Sequence, residues 1–160
     1  MDLSQVGMFG SSLGGATAAQ AMLEDRRIRA GVNMDGTFFG NVVTAGLNRP
    51  FLLMGSDPEA SESEADETWD QIWGRLRSPR YWLQLDGSGH LSFTDFQVLL
   101  AQVGTSPEDM RPLLGTIDGQ RSIAVQRAYI QAFFDRHLRN RDGRLLSGPS
   151  ARYPEMRFLP

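Results

Sequence analysis

Ser12 lies in a short pattern, Gly10-Ser11-Ser12-Leu13-Gly14, that is typical of a nucleophilic serine. In the pattern G-x-S-x-G the serine occupies a strained turn between a strand and a helix, which exposes its hydroxyl to a substrate. The glycines avoid the clash that Cβ atoms would cause where the helix passes the strand. The backbone N–H of Leu13 would donate to the oxyanion that forms during acyl transfer. The stretch therefore predicts a serine that attacks acyl groups, with a non-catalytic glycine-rich turn as the alternative.

A serine nucleophile needs a base, and the sequence contains two histidines. His90 follows an apolar segment in the stretch DGSGHLSF, whereas His137 lies near the end of a long helical pattern, where a cation suits the helix dipole. We therefore predict that His90 is the base. The base in turn needs a carboxylate, and Asp35 and Asp57 both satisfy the chain order Ser, Asp, His. The residues alone do not choose between these two acids.

Strands and helices that alternate along the chain must position these residues. Short apolar segments bounded by Gly, Pro or Asp predict strands, while helix-forming residues and apolar residues at helical spacing predict helices. The strands are expected at residues 5–10, 28–35, 49–57 and 80–90, and the helices at residues 15–25, 68–77, 92–104 and 120–139. Residues 105–119 are expected to form a connection, and the tail that follows the last helix is expected to be irregular.

This alternation predicts an α/β fold with a largely parallel sheet flanked by helices. Sheets of this kind have their sites at the carboxyl ends of the strands. Ser12, Asp35, Asp57 and His90 each follow a predicted strand, so we expect all four at one edge of the sheet. A length of 160 residues suits a single domain over residues 1–160.

The composition excludes several classes of protein and of site. A formal net charge of -3 argues against a nucleic-acid partner, and no apolar run approaches the ~18 residues of a membrane span. The absence of cysteine excludes disulfides, thiolate metal sites and a cysteine nucleophile. The absence of lysine excludes a Schiff-base lysine and a P-loop. The N-terminus lacks the charged stretch followed by an apolar one that would predict a signal peptide, so the chain as encoded is expected in the cytoplasm.

Four stretches together resemble the platelet-activating-factor acetylhydrolase branch of the α/β-hydrolases, in particular its bacterial members. They are GSSLGGATAAQAM, DRRIRAGVNMDGT, RPFLLMGS and GSGHLSFTDF, and the resemblance extends from about residue 3 to the YPEMRF tail. In that family the acid follows the strand after the nucleophile helix, which is the place of Asp35 here. The resemblance therefore implies a triad of Ser12, Asp35 and His90, with Asp57 as the alternative acid.

The resemblance also implies a substrate class. Members of the family cleave esters of short or oxidised acyl chains, often in phospholipids, without a metal or calcium, so we expect a small-molecule or lipid ester as substrate and no cofactor. Bacterial relatives are often exported. Phe38, Phe39, Leu91 and Phe93 flank the triad segments and are expected either to line an acyl pocket or to belong to the core.

The motif lies much closer to the first residue than it does in the family. A complete hydrolase of this kind has several strands and helices before the nucleophile, among them the loop that supplies the second oxyanion donor. We therefore expect an α/β-hydrolase sheet that lacks its N-terminal strands and has an exposed strand edge. Two hypotheses follow: a serine esterase or its catalytic C-terminal half, or an inactive half-domain. The half-domain would pair through the strand edge with a second copy or a complementary chain.

Overall fold

The computed structural model describes residues 3–60, 66–141 and 143–160. The fold is built around a five-stranded sheet. The strands are β1 (Val6–Ser11), β2 (Ile28–Met34), β3 (Phe51–Gly55), β4 (Arg80–Leu85) and β5 (Met156–Phe158). They lie in the order β1-β2-β3-β4-β5; the first four are parallel, and β5 is antiparallel to β4. The prediction of an α/β fold with a largely parallel sheet is confirmed.

Six helices connect and cover the strands in the described part of the chain. They are α1 (Leu13–Glu24), α2 (Val42–Ala45), α3 (Glu67–Trp73), α4 (Phe96–Gln102), α5 (Pro107–Leu114) and α6 (Gly119–Arg139), with 3₁₀ turns at His90–Phe93 and Leu145–Ser147. Within the described residues, no helix is both long enough and apolar enough to cross a membrane.

Two segments are more regular than the sequence predicts. Residues 105–119 contain α5, because Ser106 caps the helix by accepting a hydrogen bond from the N–H of Asp109 at 3.2 Å. The proline at the first helical position needs no N–H partner, so it starts this helix rather than breaking it. The tail contains β5, whose three residues pair with the end of β4. The predicted fourth strand ends earlier than expected, at Leu85, and a turn separates it from His90.

Apolar side chains pack in two layers, one on each face of the sheet. On one face α6 contributes Val125, Tyr129 and Phe133, all fully buried. On the other face α1 contributes Met22 and α3 contributes Ile72, which are also fully buried. Each such side chain stabilises the fold by about 1.5–3 kcal/mol when it leaves water. Because β1 to β4 are parallel, their carboxyl ends lie at one edge of the sheet.

The approach of α1 to the sheet depends on two glycines. A Cβ atom added to Gly10 would lie 2.5 Å from the backbone carbonyl carbon of Gly14, and one added to Gly15 would overlap Oδ1 of Asn33. A Cβ atom added to Gly14 would meet nothing within 4 Å. The motif predicts close contacts at Gly10 and Gly14. The contact is present at Gly10 but not at Gly14, and the second crowded glycine is Gly15.

These contacts predict opposite effects for two neighbouring substitutions. Gly15→Ala is expected to lower the free energy of unfolding by about 1–3 kcal/mol, because its methyl group forces Asn33 out of place. Gly14→Ala is expected to leave it unchanged or to raise it by up to about 1 kcal/mol, since alanine favours the helix. Urea unfolding followed by circular dichroism measures both values. Equal stabilities for the two variants would contradict the packing described here.

Candidate active site

Ser12 lies in a strained turn between β1 and α1. Its backbone has φ 53° and ψ -123°, a region that non-glycine residues rarely occupy and that costs of order 1–3 kcal/mol. Hydrogen bonds hold it there: the Ser12 N–H donates to the carbonyl of Met34 at 2.8 Å, and the Ser12 carbonyl accepts from the N–H of Gly15 at 3.0 Å. The motif predicts a strand-turn-helix of this kind, and the turn lies at the carboxyl end of β1.

Asp35 lies in a second strained turn, directly after β2. It has φ 54°, and its N–H donates to the carbonyl of Met54 at 2.9 Å. One carboxylate oxygen, Oδ1, accepts from the N–H of Ser56 at 2.8 Å, which leaves Oδ2 directed at Nδ1 of His90 at 2.7 Å. The left-handed backbone thus turns the carboxylate across the end of β3 toward the imidazole.

This turn is supported by two residues that the sequence analysis did not identify, Asn33 and Trp69. Asn33 is fully buried, and its side chain both accepts from the N–H of Gly36 at 2.9 Å and donates to the Gly36 carbonyl at 2.7 Å. Trp69 of α3 donates its Nε1–H to the same carbonyl at 3.0 Å. An asparagine inside the otherwise apolar stretch AGVNM was the available signal for Asn33, because a buried amide needs hydrogen-bond partners.

His90 joins the two strained turns. Its Nε2 lies 3.1 Å from Oγ of Ser12, and its Nδ1 lies 2.7 Å from Oδ2 of Asp35. A carboxylate can only accept, so Nδ1 carries the proton and Nε2 is free to accept the proton of Ser12. The hydrogen bond that Nδ1–H donates to Asp35 raises the pKa of His90; partial burial opposes this effect and the negative charge of Asp35 adds to it. The arrangement is able to remove a proton from Ser12.

The structure places the other two candidates, Asp57 and His137, in separate roles. Asp57 accepts hydrogen bonds from the N–H of Gly87 at 2.8 Å and from Nε2 of Gln84 at 3.3 Å, so it holds the turn before His90. His137, at the end of α6, has its Nε2 3.1 Å from the hydroxyl of Tyr81. Burial, with a contribution from the charge of a neighbouring arginine, lowers the pKa of His137.

Leu13 is the first residue of α1, so its N–H has no carbonyl within the helix to bond and lies next to Ser12. Its side chain is 68% exposed. This N–H is available as an oxyanion donor, and the positive end of the helix dipole adds to its effect.

The four apolar residues considered for an acyl pocket occupy different environments. Phe38 and Phe93 are buried in the two core layers, Phe39 is exposed, and Leu91 is partly exposed. A cavity of about 300 Å³ is lined in part by Asp35 and His90, though not by Ser12, and the described residues that line it do not include these four. Its described lining residues are Asp35, Thr37, Gly55, Ser56, Pro58, Asp66, Trp69, Asp70, Trp82, Gln84, His90 and Leu159.

The contact between Asp35 and His90 predicts the effect of Asp35→Asn on the imidazole. The substitution removes the charge that favours the imidazolium, so the pKa of His90 should fall to or below its ordinary value of 6.5. A proton NMR titration measures this pKa directly, because the chain has only two histidines. The pKa of His137 serves as the internal control and should not move. An unchanged pKa of His90 would show that the carboxylate does not contact the ring.

Comparisons with known proteins show which family the chain resembles. The family model for platelet-activating factor acetylhydrolase, isoform II, matches residues 1–144. A probable 1-alkyl-2-acetylglycerophosphocholine esterase of Arthroderma benhamiae is 31% identical over 170 residues, which cover 98% of this chain and 43% of that protein. A platelet-activating factor acetylhydrolase of Cavia porcellus is 28% identical over 140 residues, which cover 86% of this chain and 31% of that protein.

A solved structure shares the fold over the whole chain. The ferulic acid esterase from Streptomyces cinnamoneus superimposes with a TM-score of 0.89 at 38% identity, over 100% of this chain and 48% of that one. The chain thus spans less than half the length of these relatives. Its sheet is of the α/β-hydrolase type, and the chain belongs to the family of platelet-activating factor acetylhydrolase, isoform II.

Proposed function

We propose that this chain contains the catalytic residues of a carboxylic-ester hydrolase: Ser12 as nucleophile, His90 as base and Asp35 as acid. The observation that supports this most directly is the continuous hydrogen-bond chain, 3.1 Å from Ser12 Oγ to His90 Nε2 and 2.7 Å from His90 Nδ1 to Asp35 Oδ2. Such a chain activates a hydroxyl that is otherwise a weak nucleophile. The relatives named as esterases and acetylhydrolases support an ester as the substrate.

Acyl transfer begins when His90 Nε2 takes the proton of Ser12 as Oγ attacks the ester carbonyl. Negative charge then develops on the carbonyl oxygen, which accepts a hydrogen bond from the N–H of Leu13. The imidazolium, stabilised by Asp35, returns its proton to the leaving alcohol and an acyl-enzyme remains. Water, deprotonated by His90, then attacks the acyl carbonyl; Ser12 Oγ leaves and takes the proton back from the imidazolium, and the carboxylic acid is released. Because only neutral His90 can act as base, turnover should rise with pH through the raised pKa of His90.

The substrate class we propose is an ester with a short acyl chain, in a small molecule or a phospholipid. One relative is named a probable 1-alkyl-2-acetylglycerophosphocholine esterase, another a platelet-activating factor acetylhydrolase, and the structural neighbour a ferulic acid esterase. No metal or other cofactor enters the steps above, because the imidazole and the N–H groups supply the proton transfer and the charge stabilisation.

The free edge of β1 supports a proposal about partners. β1 pairs with β2 on one side, and within the described residues no strand pairs with its other side. The side chain of Phe9 in β1 is 55% exposed at this edge strand. An unpaired edge is a template for a further strand. We propose that this strand comes either from chain outside residues 1–160, as the length of the relatives suggests, or from a second copy.

Covalent labelling tests the nucleophile. A fluorophosphonate should react with Ser12, and peptide mass spectrometry locates the adduct; Ser12→Ala should abolish labelling and hydrolysis of p-nitrophenyl acetate. Ser11→Ala is the matched control, because Ser11 is the adjacent serine and its buried Oγ makes no hydrogen bond to the described residues. Labelling of a different residue, or none in folded protein, would refute the proposed function.

Sedimentation velocity and hydrogen exchange together test the edge of β1. A dimer that Phe9→Lys dissociates would assign the edge to a second copy, because the charge blocks strand pairing there. A monomer whose β1 amides exchange rapidly would assign it to chain outside residues 1–160. A monomer in which all β1 amides are protected would show that the edge is not open, contrary to the proposal.

A further inference from the structure

A nearly buried carboxylate holds the turn from which His90 emerges. Asp57 follows β3 and is 8% exposed. Its Oδ2 accepts from the N–H of Gly87 at 2.8 Å, and its Oδ1 accepts from Nε2 of Gln84 at 3.3 Å and from the N–H of Glu59 at 3.1 Å. The backbone N–H of Asp57 donates to the carbonyl of Ser88 at 2.9 Å. One residue thus bonds both Gly87 and Ser88, which lie three and two positions before His90.

The same turn is held from its opposite side by the chain between α5 and α6. The carbonyl of Gly87 accepts from the N–H of Thr116 at 2.7 Å and from that of Ile117 at 3.0 Å. The N–H of Gly89 donates to the carbonyl of Leu114 at 3.1 Å. Gly87 has φ +75°, which a residue with a side chain rarely adopts. A glycine therefore allows the turn to form, and its two sides are hydrogen-bonded to different parts of the fold.

The ring of His90 depends on this turn because packing alone does not hold it. Its side chain is 42% exposed, yet both ring nitrogens must reach partners on other elements, Ser12 after β1 and Asp35 after β2. The position of the His90 backbone therefore decides whether the two contacts form together. A misplacement of about 1 Å in such a site lowers turnover about a hundredfold.

We propose that Asp57 is a positioning residue for His90: by bonding Gly87 and Ser88 it fixes the turn that places the imidazole between Ser12 and Asp35. This inference deepens the proposed function and rests on the catalytic role proposed there for His90. It gives Asp57 a role separate from that of Asp35, since Asp57 acts on the backbone and Asp35 on the ring. A carboxylate suits this role because it only accepts hydrogen bonds, and here it accepts from three N–H donors.

Asp57→Asn tests the inference with little change in shape. The amide replaces one acceptor oxygen by an NH₂ group, which then faces an N–H donor. This breaks part of the clamp, by which we mean the hydrogen bonds that Asp57 accepts from Gly87, Gln84 and Glu59. We expect the pKa of His90, measured by proton NMR, to fall toward 6.5 as its contact with Asp35 loosens. We also expect kcat for p-nitrophenyl acetate to fall about tenfold to a hundredfold while KM stays within about twofold.

Asp86→Asn is the matched control. Asp86 lies in the same turn and the substitution makes the same change of charge, but its carboxylate accepts from Arg157 at 2.6 Å and from Gln84 at 3.3 Å. It should leave the pKa of His90 as in the wild type and kcat within about twofold. Should Asp57→Asn fail to fold, Asp57→Ser, which keeps a smaller acceptor, takes its place with the same expectations.

The NMR measurement separates this inference from the proposed function, because it needs no turnover. A pKa of His90 that is unchanged in Asp57→Asn, or that falls equally in Asp86→Asn, would overturn the positioning role. A wild-type chain without Ser12-dependent hydrolysis would instead overturn the proposed function, while the pKa shift would still report on the clamp. The background substitution His137→Gln leaves a single histidine signal and removes any ambiguity of assignment.

Discussion

The buried side chain of Asn33 connects the two strained turns on which the candidate site depends. Its amide bonds both backbone groups of Gly36, one residue after Asp35, and its Oδ1 packs against the Cα of Gly15 in the first turn of α1. Gly36 in turn has no room for a Cβ atom, which would overlap the carbonyl of Ser12. Leaving this amide without partners would cost about 1–3 kcal/mol, so the turns at Ser12 and Asp35 form as one unit.

Around this unit, each of the four parallel strands contributes at its carboxyl end. β1 leads to Ser12, β2 to Asp35, β3 to Ser56 and Asp57, and β4 to the turn before His90. The amide of Ser56 occupies one oxygen of Asp35, so that only the other is directed at the imidazole. The sheet therefore does more than bring the residues close: neighbouring strands fix which atom of each side chain takes part.

The strain at this edge is stabilised by the two apolar layers beneath it. Ser12, Asp35 and Gly87 have positive φ angles, and the non-glycine residues among them each cost of order 1–3 kcal/mol. The five residues of β3, in the middle of the sheet, are all buried and hold its neighbours on both sides. A weaker core would allow these turns to relax, and the hydrogen-bond chain from Ser12 to Asp35 would lengthen.

Local pattern was enough to predict the α/β alternation, the elbow at Ser12 and the choice of His90 over His137 as the candidate base, because apolar periodicity and turn chemistry act over a few residues. The choice between Asp35 and Asp57 was not local: both follow buried strands, and only the folded chain shows that φ 54° at Asp35 directs its carboxylate to the ring, while Asp57 bonds the backbone of the next turn. The helix α5 follows from a local signal, the Ser106 cap, which lies directly before a proline that is also typical of a break. The role of Asn33 was decided by tertiary structure, because Gly15 of α1 and Trp69 of α3, which meet it and its Gly36 partner, are distant in sequence.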